Sequence, residues 1–164
     1  MKKALLLVLS LILAGNMLAC ASRSSDTKVV SAQGVSFSVP NSWGEFEDTS
    51  DQEYMVLQVP ASASKLKIGE VSLIVLLANS DTNVTFDEAI KRYENEPEAR
   101  TQVVNINGTD FIRVDTYAGG STVIMLVPNT GSTVNILITV SVLQTEYIAN
   151  TDLYESIVSS ITVK

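Results

Sequence analysis

The turn chemistry of the second half of this chain constrains its fold more than any other feature. Asn107-Gly108 is the pair that a type I′ hairpin turn asks for, because both central residues take positive φ. Ala118-Gly119-Gly120-Ser121 and Asn129-Thr130-Gly131-Ser132 mark two further turns. The segments between them are too short for a crossover, so the sequence predicts four successive strands in an antiparallel meander, the first two at 101–106 and 109–117. In the fourth, Val134, Ile136, Ile138, Val140 and Val142 line one face. Asn135, Thr139 and Ser141 lie on the other, which Leu137 and Leu143 make only partly polar.

Earlier in the chain, Val35-Ser36-Phe37-Ser38-Val39 alternates apolar with polar and stops at Pro40-Asn41, a short half-buried strand with Trp43 in the turn beyond it. Trp43 suits a core plug, given the area an indole buries, or a ligand platform. Glu53 to Val59 forms a strand ended by Pro60, and Val71 to Ala78 is apolar on both faces, as a central strand covered on two sides would be. Thr85-Phe86-Asp87-Glu88 has the Ser/Thr-x-x-Glu capping-box spacing, after which Phe86, Ala89, Ile90 and Tyr93 recur at helical intervals until Pro97. Asn150-Thr151 is expected to cap a second helix, with Leu153, Tyr154, Ile157, Val158 and Ile161 inward and a short final strand at 161–163. Strands of mainly antiparallel order with helices laid on them make an α+β domain.

Gly34-Val35-Ser36-Phe37-Ser38-Val39-Pro40 with Trp43 resembles the opening strand, proline and tryptophan of PsbP-like domains, which include DcrB-type envelope lipoproteins. Tyr154-Glu155-Ser156-Ile157-Val158-Ser159-Ser160-Ile161 is similar to their terminal helix leading into a Ser-Ile strand, and the order of elements between also fits. The resemblance spans Gly34 to Lys164. It implies an α/β/α sandwich with a mainly antiparallel sheet of about six to eight strands and two main helices, used as an accessory or binding module without catalysis. It carries over no functional residue.

The N-terminus speaks to location. Lys2 and Lys3 precede an apolar run from Ala4 to Ala14 that leads into Met17-Leu18-Ala19-Cys20, similar to a bacterial lipoprotein signal peptide with its lipobox. The apolar run is shorter than the roughly 20 residues that span hydrocarbon. Residues 1–19 therefore read as signal, 20–32 as a lipidated Cys20 and a Ser/Thr-rich flexible tether, and 33–164 as one domain. Met17 and Leu18 depart from the commonest lipobox, which leaves cleavage by ordinary signal peptidase near Ala19 or Ala21, to a soluble secreted protein, as the alternative. Each buried methylene of an acyl chain on Cys20 would add about 0.8 kcal/mol of membrane affinity. The expected location is extracytoplasmic, on the cell membrane, or on the outer membrane of a two-membrane bacterium since Ala21 is not acidic.

Charge and composition exclude several classes of function. The chain has 11 basic and 18 acidic residues; without Lys2 and Lys3 the count is 9 against 18, a net charge of −9. Nucleic acid is a poor partner for such a surface. There is no histidine, so no histidine triad or imidazole proton shuttle can be built, and the single cysteine is the lipidation candidate, so no internal disulfide or thiolate zinc site can form. No cofactor motif is present, and the chain reads as a non-enzyme.

Two constellations remain. Glu45, Glu47, Asp48, Asp51 and Glu53 gather acids beside Trp43, and oxygen-rich clusters suit calcium or manganese. Their spacing lacks the EF-hand pattern, so a solvated acidic loop is the competing reading. Arg113 and Asp115 share a strand face with Phe111 and Tyr117, opposite Ile112 and Val114, which suits either a solvated face with a salt bridge or a patch for a protein partner. The leading function is thus a membrane-anchored binding or accessory module for an envelope protein complex. A small-ligand or calcium carrier, using the acidic loop or an apolar pocket between sheet and helices, comes second, and a carboxylate-dependent hydrolase third.

Overall fold

The computed structural model of the chain describes residues 26–32, 34–45, 54–60, 73–79, 84–131 and 136–164. In chain order the described elements are β1 (Thr27–Ala32), β2 (Val35–Pro40), β3 (Trp43–Glu45), β4 (Tyr54–Pro60), β5 (Leu73–Asn79), α1 (Phe86–Glu94), β6 (Ala99–Ile106), β7 (Thr109–Ala118), β8 (Ser121–Pro128), β9 (Ile136–Leu143), α2 (Gln144–Ala149), α3 (Thr151–Ser159) and β10 (Thr162–Val163). The meander is β6 to β9, and its first turn is of the expected kind, with φ of 50° at Asn107 and 89° at Gly108. Antiparallel pairing of β5 with β9 extends it into a seven-stranded sheet of order β3-β4-β5-β9-β8-β7-β6. A three-stranded antiparallel sheet, β1-β2-β10, stands apart from it.

Alternation along the strands sends side chains to two cores. Phe111, Ile124, Leu126, Ile138 and Val140 point to one face, where Val35, Phe37 and Val39 of β2 and Tyr154, Ile157 and Val158 of α3 close over them. Ile112, Val114 and Val127 point to the other, under Ala89 of α1, with Phe86, Ile90 and Tyr93 packed around. The domain is α+β, with α1 in one outer layer and α2, α3 and the small sheet in the other. Tyr154, 1% exposed, is the largest fully buried side chain among the described residues, and its burial pushes the phenol up to about 12.

The capping box forms as the spacing predicts: the Glu88 amide donates to Thr85 Oγ1 at 3.3 Å and the Thr85 amide to Glu88 Oε2 at 2.8 Å. The bonds that the Thr85 amide and then the Thr85 hydroxyl donate to Glu88 Oε2 hold that carboxylate below its ordinary range. Asn150-Thr151 behaves differently from expectation. Asn150 Nδ2 donates back to the Glu146 carbonyl at 3.3 Å and Thr151 Oγ1 to that of Tyr147 at 2.8 Å, so both side chains close α2 and neither caps α3. The reason is that α2 runs into α3 with only Asn150 between them, and the carbonyls ending one helix take the donors first.

Two further expectations need correction. Thr27–Ala32, assigned to the tether, is strand β1, which pairs with β2 from Thr27↔Pro40 to Ala32↔Val35. Its alternation is weak by sequence, but β2 offers a complete ladder, and Lys28 Nζ donates to the Trp43 carbonyl. Trp43 itself begins β3 instead of lying in a turn, and at 5% exposure it plugs the core beside β2. The signal segment and Cys20 lie outside the described residues.

Candidate functional site

Among the described residues, strand β7 carries the densest polar cluster. Because side chains alternate, Phe111, Arg113, Asp115 and Tyr117 all face the layer that holds α2 and α3. Phe111 is fully buried in the core, and Tyr117, 56% exposed at the far end of the strand, is the one member of the four that presents open surface. Between them Arg113 is held from two sides. Its Nε donates to Asp115 Oδ1 at 2.8 Å, while Nη1 and Nη2 donate to Glu155 Oε2 and Oε1 at 2.7 and 2.6 Å, a bidentate fork onto α3. Tyr147 of α2 donates its hydroxyl to Glu155 Oε1 at 2.8 Å, and its ring stacks on Tyr154 with centroids 5.9 Å apart.

The electrostatics follow from these bonds. Hydrogen bonding to Arg113 holds the Glu155 carboxyl below its ordinary range against the cost of burial, and the same bonds push the guanidinium still further up. Burial and then the bond to Glu155 raise the Tyr147 phenol. These three groups titrate away from neutrality, and each guanidinium nitrogen is already committed. The cluster therefore clamps α2 and α3 to the sheet; it is not poised to exchange protons at pH 7.

Sequence reasoning singled out Arg113 and Asp115 but missed Glu155 and Tyr147. A signal existed: Thr151, Tyr154, Glu155 and Val158 fall on one side of a helix, which places an acid at the flank of the apolar face, and Arg113 is the cation on the strand face that helix covers.

On the opposite face lies a cleft of about 350 Å³ between the C-terminal turn of α1 and the start of β6. Its floor is Val114 and Met125, its wall Tyr93 and Pro97, and its mouth carries Arg92, Glu96 and Glu98. The cleft is apolar at its floor and charged at its mouth, and its volume is within the range of small-ligand sites.

Of the acidic set, Glu45 is exposed at the end of β3, in register with Gln58, and Glu47, Asp48, Asp51 and Glu53 lie outside the described residues. Among the described residues no group of three or more acids stands close enough to hold a metal ion.

No protein-family model matches the sequence, and no curated protein matches it. Solved structures do. The chain is similar to cyanobacterial PsbP (CyanoP) from Synechocystis sp. PCC 6803, with 13% identity and a TM-score of 0.51 over 88% of this chain and 96% of that one. It is similar to LpqN, involved in cell envelope biogenesis of Mycobacterium tuberculosis, with 14% identity and a TM-score of 0.50 over 84% of this chain and 90% of that one. A protein from Bacteroides thetaiotaomicron matches at 14% identity and a TM-score of 0.51 over 84% of this chain, which spans 48% of that longer structure. At such identities the likeness is one of fold, and the fold is PsbP-like.

Proposed function

We propose that the chain is an extracytoplasmic lipoprotein of the DcrB-type kind, tethered through acylated Cys20, whose domain is a non-enzymatic binding or accessory module for an envelope protein complex. The observation that carries the non-enzymatic part is the Arg113 clamp: the one cluster of half-buried charged groups among the described residues is spent on its own bonds. The lipobox-like Met17-Leu18-Ala19-Cys20 supports the tether. The fold shared with LpqN, whose own role is in envelope biogenesis, is consistent with the setting.

Expression of the full chain in a bacterium, followed by fractionation and intact mass, tests the tether. The reading expects membrane recovery with the mass of acyl chains, and Cys20→Ala to move the protein out of the membrane fraction. Chemical crosslinking in intact cells tests the module: a reproducible adduct with one envelope protein is expected, and recovery of monomer alone would sink it. The cleft under α1 favours a second reading, a small-ligand carrier, which native mass spectrometry of gently isolated protein would reveal as a retained apolar molecule.

A further inference from the structure

The seven-stranded sheet ends on β6, and nothing among the described residues pairs with its outer side. The hydrogen-bond phase of that edge can be read directly. Asp110 turns its carbonyl away from β6 to accept from the Asn129 amide at 2.8 Å, so Asn105↔Asp110 is a non-hydrogen-bonded pair of the β6–β7 ladder. By alternation Thr101, Val103 and Asn105 direct their amides and carbonyls to the open edge. Val103, on the same sheet face as the cleft, is 52% exposed. The start of β6 also forms part of the cleft, through Ala99, whose own amide is taken by the Glu96 carbonyl at 3.2 Å.

We propose that the open edge of β6 and the adjoining cleft form one docking site for an extended, basic segment of a partner protein, which adds as an eighth strand. This deepens the binding-module reading and rests on it. Main-chain bonds to Thr101, Val103 and Asn105 supply the pairing, an apolar side chain of the segment covers Val103, and the next on the same face lies against Thr101 at the rim of the cleft. Charge selects the occupant. Glu94, Glu96 and Glu98 are exposed at the entry to β6, where Lys91, Arg92 and Arg100 are exposed as well, so the preference for a basic segment comes from the whole chain, which is acidic by 7 charges. Lysine or arginine at the end of the incoming segment meets Glu96 and Glu98 across the cleft mouth. A second copy of this chain is the poorer occupant, because it carries the same net negative charge. Natural edges exposed at this length usually carry a lysine, a proline or a bulge against pairing; β6 has Arg100 alone.

The test uses the full chain in detergent and a synthetic peptide as long as β6, alternating Val with Thr and ending in two lysines. The amides of Thr101, Val103 and Asn105 are expected to shift saturably in nuclear magnetic resonance and to exchange more slowly with solvent. Methylation of alternate peptide nitrogens should weaken binding by about tenfold per bond lost, and glutamates in place of the lysines should weaken it further. Val103→Pro removes an edge amide that β7 does not use, so the fold should persist while binding is lost; Glu96→Lys with Glu98→Lys, both on the surface, serves as a second variant and should also abolish it. Absence of saturable shifts up to millimolar peptide overturns the inference, as does equal binding by the methylated peptide. So does a concentration-dependent dimer through the same amides that the peptide fails to displace, which would assign the edge to a second copy. The underlying reading fails separately: if an envelope partner crosslinks in cells and survives Val103→Pro, the module stands and only the edge falls.

Discussion

The two faces of the seven-stranded sheet are built to different ends. One is sealed by α3 and a second sheet, with Phe37, Phe111 and Tyr154 at its centre and Arg113 locked at its margin. Among the described residues the other is covered, over β6 to β8, by one helix of nine residues, and a cleft and an open edge lie beside that helix. The same strand, β7, serves both, since alternate residues enter unlike surroundings. The difference teaches where stability and adaptability are kept: the sealed face holds the molecule together, and the thinly covered face has surface to offer.

Substitutions on adjacent residues of β7 should break that contrast most sharply. Phe111→Ala is expected to cost about 3–5 kcal/mol in denaturant unfolding, enough to leave little native protein. Ile112→Val, one residue on and facing α1, should cost only about 0.5–1.5 kcal/mol. Both side chains are fully buried, so the gap follows the number of atoms removed, and a loss at Ile112 well above that range would show that the face under α1 is as tightly built as the other.

Next in size comes the clamp. Arg113→Ala strands Glu155 and Asp115, and a cost of about 2 kcal/mol lies between what half-exposed and fully buried pairs lose. Arg113→Met combined with Glu155→Leu and Asp115→Asn should recover most of it, because no charge is then left without a partner. The clamp also predicts a pH dependence. The folded-state pKa of Glu155 lies below its ordinary value of 4.5, so its contribution is fully present above that value and is lost as pH falls through the folded pKa. Wild-type stability should therefore exceed that of Glu155→Gln by a constant margin at neutral pH, and the margin should shrink below about pH 4.5. An unchanging margin down to pH 2 would show that Glu155 does not act through its charge.

The smallest effect is expected on the thinly covered face. Thr85→Ala removes the cap of α1 and should cost about 1 kcal/mol. It should loosen α1 in hydrogen exchange while the amides of α3 stay protected. Simultaneous loss of protection in both helices would mean that the two faces open together.

How much of this was legible beforehand depended on how local each cause is. The meander and α1 could be read because Asn107-Gly108 and the Thr85–Glu88 box act within a few residues. Strand β1 could not, because Thr27–Ala32 has little pattern of its own and becomes a strand through β2. Nor could the place of β5 beside β9, a pairing between residues far apart in sequence, or the bond from Arg113 to Glu155, 42 positions away. For the polar cluster, strand alternation correctly placed Arg113 and Asp115 on one face; what lay opposite was set by the path of α2 and α3. The acidic residues 47–53 and the lipobox remain matters of sequence, outside the described residues.

The small sheet has one more consequence, and it concerns time. β2 pairs with β1 next to it and also with β10, and the Ser38 amide donates to Ser160 Oγ across 122 positions of chain. A polypeptide that emerges N-terminus first, from a ribosome or an export channel, thus lays down Val35–Pro40 long before the strand and helix that complete its surroundings. Phe37 must wait, unburied, for Tyr154 and Ile157. Contacts this distant in sequence slow folding, and the interval is when the young chain has most need of a holdase to shield it.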